Sequence, residues 1–175
     1  TNRGIEVVRP KEVFKLSGQG STPDNQMKLP WMEVGFPNHP LMPRDTIMPY
    51  GNSIFEIFTG SDSRYYENLS YYDHVVEWFR EGADWISMPS VKGYDHYVER
   101  NRVLYHAANM IKCGNTVLFS CAYEEDQKRG KGTLLGKEWM KREISKRYPG
   151  TRFLDLPVGG HADGKIALLR PGVLM

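Results

Sequence analysis

Cysteine is nearly missing from this chain: Cys113 and Cys121 are the only two in 175 residues. Two thiols cannot build the disulfide framework of a small secreted domain, and no charged-then-apolar leader precedes them, so a reducing, cytoplasmic setting is expected. Long apolar runs are missing too. None approaches the roughly 20 residues that cross a bilayer, so no membrane partner is expected. Nor is there an excess of one charge sign: 23 Lys and Arg stand against 21 Asp and Glu, a net of +2. That balance lacks the basic footprint of a dedicated nucleic-acid binder, and no nucleic-acid partner is expected. His39, His74 and His96 make no ligand spacing with one another or with the cysteines. "SGQGS" lacks the strand, helix and Lys that a phosphate-cradling loop needs. Neither a metal nor an organic cofactor is expected.

What is present is enough apolar material for a core, 40% of a chain of single-domain length, and a repeat. Three segments read as strand, turn, strand: "DTIMPYGNSIFEI" from Asp45, "NMIKCGNTVLFS" from Asn109 and "DGKIALLRPGVLM" from Asp163. They turn on Gly51-Asn52, Gly114-Asn115 and Pro171-Gly172. Gly-Asn between β-rich runs signals a tight hairpin, since both residues tolerate positive φ. The copies recur at roughly 55 to 65 residues, a propeller-like spacing. Between the first two copies, Arg64 to Glu81 places Tyr65, Leu69, Tyr72, Val76 and Phe79 on one helical stripe, with Gly82 as its stop. "ADWISMPS" then reads as a closing strand. In the second interval Thr133 caps "LLGKEWMKREISKR", with Leu135, Trp139 and Ile144 inward and Lys141, Arg142, Lys146 and Arg147 near the end, where they suit the helix dipole. "GTRFLDLPVG" closes that unit. "SGQGSTPDNQMKLPWMEVGFPNHPLMP" and "PSVKGYDHYVERN" are expected to be irregular, and "EEDQKRGKG" a solvated loop. The fold class is therefore α/β, built of repeated ββαβ units.

Six stretches carry a resemblance. "MPRD" (Met42 to Asp45), "GNSIFE" (Gly51 to Glu56), "SRYYE" (Ser63 to Glu67), "HAANMIKCGNTVLF" from His106, "LLGKEWMKREI" from Leu134 and the terminal "HADGKIALLRPGVLM" resemble, in order and spacing, the glycine amidinotransferase family of the guanidino-modifying superfamily. The resemblance implies the pentein fold, a pentein-like α/β propeller in which five ββαβ units ring a pseudo-fivefold axis. About three units are expected here, near 43–90, 105–158 and from 161 on, as a single partial domain over 1–175. Such a ring needs on the order of 300 residues. A chain that opens on Thr1 and stops inside the third hairpin thus reads as the N-terminal three fifths of a longer protein, inactive alone and exposing strand edges.

The resemblance also implies chemistry. A guanidinium is a delocalised cation and a poor electrophile, so moving its amidino group needs carboxylates to grip it, a thiolate to attack and an imidazole to carry protons. The implied substrates are a small guanidino compound, arginine, and an amine acceptor such as glycine. His161 matches the proton-transferring histidine, and Asp45 and Asp163 match guanidinium-binding carboxylates, with Arg44 beside them in the substrate-binding set. Residues two apart on a strand share a face, which predicts that His161 and Asp163 meet one substrate. Asp45 could instead cap the turn before its hairpin with Arg44 as partner, and Asn109 could bond its own backbone. His106 stands where the family has its catalytic Asp, and an imidazole cannot supply a fixed negative charge. Neither Cys113 nor Cys121 matches the family's nucleophile, which lies beyond this sequence. Two functions follow: an amidinotransferase working through a covalent Cys intermediate, or a catalytically inactive truncated pentein kept as a structural or binding subunit. Association with a second copy or with a missing C-terminal portion is expected of an open ring.

Overall fold

The structure, a computed structural model, describes residues 43–58, 72–89, 103–121, 132–170 and 173–174. The expected strand "GIEVVRP", the Gly- and Pro-rich stretch from Ser17, the first part of the first helix, His39, His96, most of "PSVKGYDHYVERN", the "EEDQKRGKG" loop and the Pro171-Gly172 turn lie outside the described residues.

One helical turn, α1 (Pro43–Thr46), leads into β1 (Ile47–Tyr50), which turns back on Gly51 and Asn52 into β2 (Ser53–Glu56). The helix α2 (Tyr72–Arg80) and the strand β3 (Asp84–Ser87) follow, and β3 lies parallel to β2 in a sheet of order β1-β2-β3. The second set copies this topology. A 3-10 turn (Ala107–Asn109) opens β4 (Met110–Cys113), β5 (Thr116–Cys121) pairs antiparallel with it, and the helix α3 (Leu134–Arg147) leads to β6 (Arg152–Gly159), parallel to β5. A third hairpin joins β7 (Leu168–Arg170) to β8 (Val173–Leu174).

The repeat extends to single bonds. Gly51 and Gly114 have φ of 58° and 57°, and no described non-glycine residue has positive φ. Only the glycine of each Gly-Asn pair therefore uses the left-handed region, the type II′ hairpin pattern rather than the type I′ pattern that would use both. The asparagine is spent elsewhere. Asn52 Nδ2 donates to the Gly82 carbonyl at 2.6 Å, and Asn115 Nδ2 to the Gly150 carbonyl at 3.0 Å. The amides of Asp84 and Arg152 return bonds to the Asn52 and Asn115 carbonyls. Each hairpin tip thus clasps the chain where it leaves the helix. At α2 that exit is a Schellman turn, with Gly82 donating to the Phe79 carbonyl and Ala83 to that of Trp78,.

The two sheets share one core. Phe55 of β2, Val117 and Phe119 of β5, Tyr105, Met110, and Met140 and Ile144 of α3 are buried together. Phe55 meets Trp139 edge-on at 6.5 Å between ring centroids, an arrangement that suits the ring quadrupoles. Each such apolar side chain contributes about 1.5–3 kcal/mol by leaving water. β5 alternates across its sheet. Val117 and Phe119 face the shared core, while Leu118 joins Ile111, Ala162, Leu156 and Ile166 in a smaller cluster. That second cluster ties the segment after β6 to the sheet.

Thr133 caps α3 as expected, its Oγ1 accepting from the Gly136 amide at 3.0 Å. Two helix residues depart from expectation. Leu135 is 41% exposed because the buried stripe of α3 runs through Gly136, Lys137, Trp139, Met140, Glu143 and Ile144, one position off. Gly136 lets this stripe lie directly on the chain at Leu104. Phe79 of α2 is 65% exposed, while His74, Val75, Val76 and Trp78 are partly buried. Lys137 is kept buried by Asp155, whose carboxylate lies 2.7 Å from its Nζ. Burial pushes the Asp155 carboxyl up, but hydrogen bonds and charge from Lys137 and Lys141 outweigh it and hold it below the usual range. Among the described residues no helix is long and apolar enough to cross a membrane.

Candidate active site

The chain entering each hairpin brings its polar residues to one place. Asp45 lies in α1, just ahead of β1, and is buried. His106, also buried, precedes the 3-10 turn that opens β4. His161 follows Gly160, whose φ of 72° turns the chain away from the end of β6. One ligand-type atom from each of Asp45, His106 and His161 lies within 4.8 Å of the other two. The imidazoles touch: His161 Nε2 is 3.1 Å from His106 Nδ1, and the rings are 5.0 Å apart between centroids. One of these nitrogens donates and the other accepts, so at least one ring directs a lone pair into the contact.

Backbone bonds fix this meeting. The Ala162 and Asp163 amides both donate to the Ala108 carbonyl, at 2.9 and 3.3 Å. Ala162 itself is fully buried. The amides of Lys165 and Ile166 return to the Ala162 carbonyl, closing a turn. The segment from 161 to 165 is therefore a bend and turn, and the expected strand begins only at Leu168. This corrects the shared-face expectation for His161 and Asp163. A turn does not alternate its side chains, and the two diverge: His161 goes to His106, and Asp163 goes to Arg44.

Arg44 is used in a way the sequence did not suggest. Its Nε donates to Asp163 Oδ2 at 2.8 Å and its Nη2 to the Met110 carbonyl at 2.7 Å. One guanidinium thereby braces α1 to the start of β4 and to the turn after His161. Asp163 already holds a guanidinium, so a substrate reaching it would have to displace Arg44 or share the carboxylate. The Met110 and Ala108 carbonyls carry no signal in the sequence, since a backbone acceptor is the same at every residue.

Cys113 stays apart from this cluster. Cys113 is half-buried at the far end of β4, about 10 Å beyond Met110 at the usual strand rise. Cys121 ends β5. His74 sits on α2 with Glu77, 3.8 Å away.

No protein-family model matches the chain. Inosamine-phosphate amidinotransferase 1 of Streptomyces glaucescens is 27% identical over 185 aligned positions, which take in 100% of this chain and 49% of that protein. The mitochondrial glycine amidinotransferase of Xenopus tropicalis is 26% identical over 192 positions, 99% of this chain and 43% of that one. Among solved structures, an amidinotransferase of Microseira wollei in the saxitoxin biosynthetic pathway superposes with a TM-score of 0.63 at 25% identity, over 75% of this chain and 41% of that chain. The homologues of this chain are inosamine-phosphate and glycine amidinotransferases, and its fold is the α/β pentein fold. The chain spans about half the length of the curated relatives it matches.

Proposed function

We propose that this chain, whose homologues are amidinotransferases, carries the proton-transfer and guanidinium-gripping part of an amidino-transfer site. The donor is a small guanidino compound, arginine, and the acceptor is an amine, glycine or an aminated ring phosphate. A cysteine thiolate of the whole protein adds to the guanidinium carbon, and the bond from that carbon to the ornithine nitrogen breaks as His161 delivers a proton to it. The acceptor amine then attacks the amidino carbon held on sulfur. His161 takes the proton that amine loses, and the thiolate leaves. Asp45, buried beside His161, pairs with the delocalised cation. His106 acts through His161 as a positioning residue, fixing its ring by the 3.1 Å contact. The observation that supports this reading is the convergence of Asp45, His106 and His161 from segments more than 50 residues apart, in a chain aligned along its length with amidinotransferases.

The test uses the full-length protein, arginine labelled at the guanidino carbon, and glycine or an inosamine phosphate as acceptor. Label should pass to the acceptor as ornithine forms, and His161→Ala should abolish this. Citrulline or ammonia in place of ornithine would assign a hydrolase instead. One observation favours the second reading, an inactive partial pentein acting as a structural or binding subunit: His106 stands where the resemblance places a carboxylate. Absence of every product would establish that reading and end the first.

A further inference from the structure

We infer that Asp45, His106 and His161 form a binding site for a divalent transition-metal ion, with Zn²⁺ the best match to the donor set. Two imidazoles and one carboxylate are the ligand types that zinc, iron and nickel accept, and three protein ligands leave coordination positions open for water or substrate. Loss of the proton shared in the His106–His161 contact and a small rotation of each ring would aim both lone pairs at one ion,. With Zn–N bonds of about 2.05 Å, nitrogens 3.1 Å apart subtend about 98° at the metal, between the octahedral and tetrahedral values. An Asp45 carboxylate oxygen lies within 4.8 Å of one ring nitrogen of each histidine. That is at most about 1.4 Å beyond the ~3.4 Å between two ligands of a tetrahedral ion, a gap that a modest turn of the Asp45 side chain closes. Asp45 and His106 are buried and His161 half-buried, so an ion would sit on a dry floor with one side open to solvent.

The surroundings suit such a site. The segments carrying the ligands are already held to one another: Arg44 binds α1 to the Met110 carbonyl and Asp163, and two amides hold the His161 segment to Ala108. Arg44 and Asp163 offset each other's charge. The ligands lie 61 and 55 positions apart, so no local spacing in the sequence announces them. The inference stands apart from amidino transfer. An ion on the His161 nitrogen takes the lone pair that proton transfer uses, so occupancy and transfer exclude one another.

The experiment uses tag-free full-chain protein. Co²⁺ should give visible d–d absorption that Zn²⁺ abolishes with one equivalent, and Zn²⁺ should raise the melting temperature. His106→Gln and Asp45→Asn should each lose both signals, whereas His74→Gln should keep them. Metal-free melting curves show which variants fold, and either folded variant decides the question. The site is refuted if the wild-type protein shows neither signal, or if a folded His106→Gln or Asp45→Asn protein binds one equivalent as the wild type does. Neither result depends on amidino transfer being observed.

Discussion

A glycine-to-alanine change in a helix interior ordinarily stabilises a protein by about 1 kcal/mol, because alanine is the better helix former. At Gly136 the sign should reverse. A Cβ there would lie 2.0 Å from the Leu104 carbonyl oxygen and 2.5 Å from its carbon, roughly 1.4 Å inside ordinary contact for the oxygen. The obstacle is backbone and cannot swing aside. The first turn of α3 cannot retreat freely either, because the Thr133 amide and Oγ1 both donate to that same carbonyl, at 2.9 and 3.3 Å. Separation would weaken two hydrogen bonds of about 1 kcal/mol each and add an overpacking strain of about 1–3 kcal/mol. Against the gain in helix propensity, the net loss is about 2–4 kcal/mol. For a chain of this size that lowers the melting temperature by about 4–16 °C, measured by circular dichroism with urea unfolding as a check. His106 is two residues from Leu104, so Co²⁺ absorption should also weaken. An unchanged or raised melting temperature for Gly136→Ala would refute the claim that α3 rests on the Leu104 backbone.

Glu143 should tune stability in acid. Hydrogen bonds from Lys146, then Arg147, lower its carboxyl from an ordinary 4.5 to about 2, so its contribution is present above pH 4.5 and is lost as pH falls towards 2. Allowing for solvent at Lys146, that contribution is about 1–2 kcal/mol, and Glu143→Gln should flatten the fall in urea stability between pH 5 and 3; an equally steep fall would count against it. Arg44→Lys should destabilise nearly as much as Arg44→Ala, because one ammonium cannot reproduce a fork aimed at both Asp163 and the Met110 carbonyl; full recovery by lysine in a thermal melt would show that charge alone matters. Asn52→Ala and Asn115→Ala should each cost about 1 kcal/mol, and a large difference in urea midpoint between them would contradict the equivalence of the two hairpin clasps.

Much of the fold was legible because it is local. The Gly-Asn turns, the Thr133 cap, the Gly82 stop and the strands that close each unit depend on residues within a few positions of one another. The α/β repeat followed from recurrence of those signals, and the homologues agree with the resemblance drawn from "MPRD", "HAAN" and "HAD". The departures arise from packing instead. Leu135 reads as inward because it is apolar, whereas the stripe is set by Gly136, small enough to lie on Leu104. Strand spacing would put His161 and Asp163 on one face, whereas the buried Ala162 and the Ala108 carbonyl draw the chain into a turn. Phe79 falls on the inward stripe by helical period, yet it is 65% exposed.

The sequence by itself determined the repeating unit, its turns and caps, and the residue types available for chemistry, because backbone propensity and hydrophobic period act over a handful of neighbours. Only the tertiary structure decided which of those residues meet. Arg44 reaches Asp163 across 119 positions, and His106 reaches His161 across 55. Such contacts depend on how whole units pack over a shared core, with Phe55 against Trp139 and Ala162 beneath Leu118, and no short stretch of sequence contains that information.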